Sequence, residues 1–307
     1  MSSHALAPGG GHRASASHDG PLLEVDHVVV QFGGVTAVNE ACFTADPGTV
    51  TGLIGPNGAG KTTCFNVISG LQKPTRGKVR FQGKDVSSTP VHRRSKRGMG
   101  RTFQRLEAFG SLSVRDNVKV AADIHRGVLK GFLPGGHGKD VDALLERVGI
   151  AAYANERADS IPTGTARLLE LARCLAGDPK LLLLDEPSSG LDETETDAFG
   201  ELLKDLTSEG KAILMVEHDM DLVMAVCDVI HVLDFGSIIA SGEPGAIRRD
   251  PAVQKAYLGY SDEDEEHVSA TDVTLTDLAP VPAGVGGSLS SVEETTVIPA
   301  VPEEGGR

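Results

Sequence analysis

The run Gly55-Pro56-Asn57-Gly58-Ala59-Gly60-Lys61-Thr62-Thr63 brings together glycine, an ammonium group and hydroxyls in the order that phosphate chemistry requires. Glycines reach positive φ and let backbone N–H groups close on phosphate oxygens, with the N-terminus of a following helix adding partial positive charge. Lys61 supplies a full charge to span the β- and γ-phosphates. The Thr62 hydroxyl is suited to one place on an octahedral Mg²⁺ that keeps several waters, and Thr63 to a contact on the α-phosphate side. The bland alternative is an accidental glycine-rich turn, and the flanking sequence counts against it. Val50 to Ile54 reads as an apolar strand, and from Lys61 onward Phe65 and Ile68 recur at helical spacing until Gly70.

A second group of chemical residues lies downstream. Asp185 and Glu186 follow the run Leu181 to Leu184, which places two acids at the carboxyl end of a buried strand, where open α/β sheets bind ligands. Asp185 is the expected acidic partner of Mg²⁺ through water, and Glu186 the group that polarises the water attacking the γ-phosphate. A helix cap and a surface acid are the alternatives, made improbable by the upstream loop. Ser189-Gly190-Leu191-Asp192 turns into the next helix, where Asp192 by itself reads as a cap. His218 follows the apolar run Ala212 to Val216, and its arrival at the same sheet edge favours a γ-phosphate contact over a structural role. Phe32, in a turn after a first strand, is either an adenine-stacking aromatic or an ordinary strand-end phenylalanine.

These residues need a scaffold of strands and helices in alternation, an α/β fold. The early part, Leu22 to Val30, Ala41 to Ala45 and Gly77 to Asp85, is β-rich. From about residue 106 to 177 helices dominate (Val114 to Val120, Asp140 to Val148, Ala166 to Ala176), as an inserted subdomain able to face a partner. The basic run Pro90 to Arg97 is expected to be a solvated helix face.

The chain of 307 residues has ample apolar content for a core. No signal peptide or anchor is visible in residues 1–21, and the longest apolar runs fall far short of the roughly 20 residues a bilayer crossing requires. The cysteines Cys42, Cys64, Cys174 and Cys227 are scattered without paired metal-ligand spacing and read as buried free thiols. Residues 261–307 hold eleven acids and one base, so they account for most of the net charge of −14. The remainder is nearly neutral, which argues against nucleic-acid binding, and both terminal stretches, 1–21 and 261–307, are expected to be disordered.

Taken together, residues 22–260 closely resemble the ATP-hydrolysing subunit of an ABC transporter, a P-loop NTPase with an antiparallel β subdomain and an inserted helical subdomain. The motifs stand in the family's order: Walker A at Gly55 to Thr63, the Q-loop at Gln104, Walker B at Leu181 to Glu186, the D-loop at Ser189 to Asp192, and the switch histidine His218. Phe32-Gly33-Gly34, Arg101-Thr102-Phe103-Gln104, Val216 to Met220 and Ala256 to Gly259 resemble the branched-chain amino-acid (Liv-type) and urea uptake subfamily. The resemblance implies ATP and Mg²⁺ as cofactors, with Glu186, His218 and Gln104 catalytic. It makes Phe32 the adenine-stacking residue, and Thr62, Gln104 and Asp185 the metal-facing set. It also implies a second ABC ATPase subunit, membrane permease subunits, an indirect link to a substrate-binding protein, and a peripheral place on the cytoplasmic face of the plasma membrane. Soluble ABC proteins of translation or repair form a competing class, but they usually carry two ATPase units or a long coiled coil, and neither is visible.

The signature motif departs from the family. Where relatives read Leu-Ser-Gly-Gly-Gln or Leu-Ser-Tyr-Gly-Gln, the register of Arg167, Glu170, Ala172 and Arg173 aligns Ile161-Pro162-Thr163-Gly164-Thr165. Pro162 stands at the serine that, by resemblance, donates to the γ-phosphate of the opposite subunit, while Gly164 remains to approach that nucleotide. A weakened reciprocal site follows, favouring a heterodimer whose partner has an intact signature, unless Thr163 or Thr165 replaces the hydroxyl. A regulatory subunit that hydrolyses ATP poorly is the further alternative.

Overall fold

The computed structural model describes residues 20–103, 107–126 and 137–258. The terminal stretches expected to be disordered fall almost wholly outside these, and so does Gln104.

Leu23–Phe32 (β1) and Val35–Ala45 (β2) form an antiparallel hairpin, longer than the sequence reading of either strand. Val50–Ile54 (β3) then leaves for a second sheet, while Arg76–Phe81 (β4) and Lys84–Asp85 (β5) complete a four-stranded antiparallel sheet in the order β2-β1-β4-β5. The second sheet adds Met99–Arg101 (β6), Leu181–Asp185 (β7), Ala212–Val216 (β8), Val229–Asp234 (β9) and Ser237–Gly242 (β10), in the order β10-β9-β3-β8-β7-β6. Its paired strands run parallel except for β10, which returns antiparallel on β9. β3, β7 and β8 are buried along their whole length, the condition for continuous apolar runs in a sheet covered on both faces.

Lys61–Ser69 (α1) follows β3, and Val91–Lys96 (α2) leads into β6. Contrary to the expected solvated face, Arg94 on α2 is almost fully buried. It donates from Nη1 to the Val67 and Ile68 carbonyls (2.7 and 2.5 Å) and from Nε to the Thr89 carbonyl (2.8 Å). The Val67 carbonyl also accepts from the Gly70 N–H (3.2 Å), and the buried guanidinium fills the acceptor capacity left at the end of α1.

Val114–Arg126 (α3), His137–Arg147 (α4) and Thr163–Leu175 (α5) make up the helical insertion, packed through Val114, Val118, Val141, Leu145 and Leu169. α5 starts earlier than the apolar periodicity suggested. Pro162 is its N-cap with φ −57° and ψ 154°, a position where proline's missing N–H costs nothing. Glu193–Ser208 (α6), Met220–Val226 (α7), Pro244–Ile247 (α8) and Pro251–Leu258 (α9) complete the helices of the described residues.

Candidate nucleotide site

The strand order decides the site. β3, β8 and β7 are adjacent, so the glycine loop, His218 and the Asp185-Glu186 pair all leave the same sheet edge at the carboxyl ends of neighbouring parallel strands.

The loop is wedged between two other strands. A Cβ at Gly55 (φ +149°) would lie 1.9 Å from the Leu233 carbonyl oxygen on β9, and one at Gly60 (φ +106°) 2.4 Å from the Ala37 carbonyl on β2. Both positions are closed to any side chain, whereas Gly58 (φ +82°) is constrained only by its conformation. Lys61 is buried, and its Nζ donates to the carbonyls of Gly55 and Pro56 (2.5 and 2.9 Å). Burial lowers its pKa, opposed by the charges of Glu186 and Asp185. Because the N-cap of α1 is Gly60, no side-chain oxygen serves the first-turn N–H groups, which leaves them as donors to an anion.

Asp185 is buried and pairs with Arg101 on β6, Oδ2 to Nη2 at 3.1 Å. The other arm of Arg101 donates to Asn66 Oδ1 (2.8 Å) and Ser69 Oγ (2.9 Å) on α1, and its guanidinium stacks on Phe65 and Phe103. Burial raises the pKa of Asp185, and Arg101 holds it back. Arg101 thus fixes the acid against the helix that follows the glycine loop, a role that no sequence motif indicated beyond its place in Arg101-Thr102-Phe103-Gln104.

Glu186 adopts φ +49°, a left-handed conformation rare for a non-glycine residue and a recurring mark of functional strain. Its N–H donates to the Val216 carbonyl (2.8 Å), extending the β7–β8 ladder, and its Oε1 lies 3.0 Å from His218 Nε2. Glu217, also missed by the sequence reading, is buried behind this pair. It accepts from the backbone N–H of Ser188 (2.7 Å) and of His218 (3.0 Å), tying the histidine loop to the turn before Asp192. Burial raises its pKa. The sequence signal was present, an acid directly after a fully apolar strand, but it was eclipsed by the histidine beside it.

The remaining expected residues divide. Phe32 ends β1 half exposed, as an aromatic open to a ligand would be. Asp192 closes a capping box with Glu195, accepting from its N–H at 2.8 Å, so its side chain serves α6. Gly164 is buried against the D-loop, where a Cβ would lie 2.5 Å from the Gly190 carbonyl oxygen. Thr165 is buried and Thr163 exposed. Gln104 is outside the described residues, yet α5 holds the chain on both sides of it. Arg167 donates to the Phe103 carbonyl (2.8 Å), and Glu170 accepts from the Glu107 N–H (2.8 Å).

This donor set fits a nucleoside triphosphate with Mg²⁺: a glycine cradle closed to side chains, a buried ammonium, uncapped N–H groups, and hard oxygen ligands in the Thr62 hydroxyl and the Asp185 carboxylate. Fold and site together define a P-loop nucleotide-binding cassette of the ABC type. The chain belongs to the family of ABC transporter ATP-binding proteins: the family described as ABC transporter matches residues 38–189, and that described as branched-chain amino acid ATP-binding cassette transporter matches residues 237–263. It is 39% identical over 250 residues to the high-affinity branched-chain amino acid transport ATP-binding protein LivG of Escherichia coli, covering 78% of this chain and 98% of that protein. The corresponding protein BraF of Pseudomonas aeruginosa is 39% identical over 252 residues with the same coverage. Among solved structures, the ADP conformation of an ATP-binding cassette of an ABC transporter superposes with a TM-score of 0.69 at 28% identity, covering 78% of this chain and 99% of that one.

Proposed function

We propose that this chain binds and hydrolyses ATP to energise an ABC importer of branched-chain amino acids or a related small polar solute through a separate permease. The observation that carries the reading is the Glu186–His218 contact of 3.0 Å, at the sheet edge shared with the glycine loop. Glu186 accepts a proton from the attacking water, and His218 positions that carboxylate and donates toward the γ-phosphate. Lys61 and the N–H groups of the loop bind the phosphates, and Phe32 stacks on the adenine. Thr62, Gln104 and, through water, Asp185 would hold Mg²⁺, which would neutralise charge on the phosphate oxygens. The C-terminal family match and the names of LivG and BraF support the solute class.

A groove of about 450 Å³ between β6, α2 and the helical insertion supports a permease contact. Val91, Phe109 and Ile124 stand exposed along it, an apolar surface suited to an amphipathic segment of a membrane subunit. Among the described residues no helix is long and apolar enough to cross a membrane. The names of LivG and BraF as transport ATP-binding proteins support a peripheral place beside the permease, on the cytoplasmic face where ATP is supplied. Gly164, and Asp192 through the D-loop turn that it anchors on α6, are assigned to the nucleotide of a second ATPase subunit. Pro162 favours a heterodimer, because a partner with an intact signature leaves the Gly55 to Thr63 site fully served.

The test is ATP turnover of the assembled transporter with Glu186→Gln. Turnover is expected to fall about 10²- to 10⁴-fold with nucleotide binding retained. Unchanged turnover would overturn the assignment of Glu186, and absence of turnover in the wild-type complex would overturn the reading as an ATPase.

A further inference from the structure

Away from the nucleotide site, the antiparallel sheet carries an irregularity with its own chemistry. β1 and β2 pair Val25 with Phe43 and Val28 with Ala41, so the two residues Asp26 and His27 oppose the single residue Cys42. This is a β-bulge. Regular alternation would send Asp26 and His27 to opposite faces of the sheet, and the extra residue instead re-aims them together. The bulge is built in from both sides. His27 takes φ +46°, and Gly77 on β4 (φ +81°) lies so close that a Cβ there would sit 2.1 Å from the His27 carbonyl oxygen.

The result is a convergence of three different ligand atoms. One oxygen of Asp26, a ring nitrogen of His27 and the sulfur of Cys42 all lie within 4.8 Å of one another. Asp26 Oδ1 is 2.8 Å from His27 Nδ1, and Cys42 Sγ is 3.4 Å from the same nitrogen. Nδ1 carries at most one proton, and it faces two groups that both act as anionic ligands. A Cys-His-Asp catalytic relay would need the acid and the thiol on opposite ring nitrogens, so the arrangement is not that of a nucleophile. It is that of a chelate.

We propose that Asp26, His27 and Cys42 form a binding site for a borderline-soft divalent transition-metal ion, with Zn²⁺ as the type case and the fourth tetrahedral position left to water. Zn–N and Zn–S bonds of about 2.0 and 2.3 Å set a tetrahedral N···S edge of about 3.5 Å, close to the separation found. The Asp26–His27 pair opens by about half an ångström to admit the ion. Arg80 holds the other oxygen, Asp26 Oδ2, at 2.9 Å and Glu24 Oε1 at 2.9 Å, which orients the carboxylate with Oδ1 turned to the cluster. Cys42 and His27 are exposed, so an ion reaches the site from solvent. The thiol of Cys42 loses its proton on binding. The expectation of a buried packing thiol fails at Cys42 because β2 alternates there, with Ala41, Phe43 and Ala45 turned to the core and Cys42 to the other face.

The experiment titrates the full chain, without nucleotide, with Co²⁺ alone and then displaces the ion with Zn²⁺. A thiolate-to-cobalt charge-transfer band is expected to saturate at one ion per chain and to bleach with Zn²⁺. Cys42→Ser abolishes the band, and His27→Ala weakens Co²⁺ binding about tenfold or more. His92→Ala, which removes an exposed histidine on α2, leaves both unchanged. Zn²⁺ raises the Tm of the wild type and not that of Cys42→Ser. Absence of the band, or its persistence in Cys42→Ser, overturns the proposal.

Discussion

Glu186 Oε1 and His218 Nε2 meet at 3.0 Å although 32 residues separate them in the chain. The contact arises because β7 and β8 are hydrogen-bonded neighbours and Glu186 turns left-handed at the end of its strand. On the proposed mechanism, removing the imidazole frees the carboxylate to leave the position from which it takes the proton of the attacking water. His218→Ala is expected to lower ATP turnover about 10²-fold or more, with nucleotide affinity changed far less. Turnover and equilibrium nucleotide binding, measured on the same preparations, separate the two effects.

Gly60 and Gly58 offer a contrast within one loop. Alanine at 60 meets the Ala37 carbonyl oxygen as well as an unfavourable φ, so Gly60→Ala is expected to cost about 2 kcal/mol or more and to abolish nucleotide binding. Gly58→Ala carries only the conformational penalty, about 1 kcal/mol. The chain has no tryptophan, so urea unfolding is followed by circular dichroism.

Glu170 supplies a pH signature. Burial raises its pKa above the ordinary 4.5, against the N–H of Glu107 and the charge of Arg167. An acid whose folded pKa is raised leaves stability highest below its unfolded pKa, and stability is lost as the pH rises from there through the folded value. Wild-type stability is therefore expected to fall relative to Glu170→Gln as the pH rises above about 4.5. Paired unfolding curves from pH 4 upward check the sign, and a constant difference would refute it.

Pro162 is testable against its neighbours. A hydroxyl lost from a charged acceptor is worth about 1.5–3 kcal/mol, or about 10- to 150-fold. Pro162→Ser is expected to raise turnover at the reciprocal site within that range, read in the assembled complex with the Gly55 to Thr63 site silenced by Glu186→Gln. Thr165 is buried, so a substitute hydroxyl falls to the exposed Thr163. Unchanged turnover in Pro162→Ser together with a loss in Thr163→Ala would assign the contact to Thr163.

The sequence by itself determined the parts whose chemistry is local. A glycine loop after an apolar strand, two acids after four leucines and a histidine after another apolar run are each legible because strand burial and backbone freedom are written in residue types. Arg101, Glu217 and the Asp26-His27-Cys42 cluster were not legible, since their meaning depends on which strands are neighbours and where one strand bulges. Arg94 shows the same limit: an arginine in a basic run is buried only because α2 ends against the last carbonyls of α1. Local pattern fixes what a segment is. Hydrogen-bonded strand order and register, which are long-range, decide which segments meet, and so only the tertiary structure put Glu186 against His218.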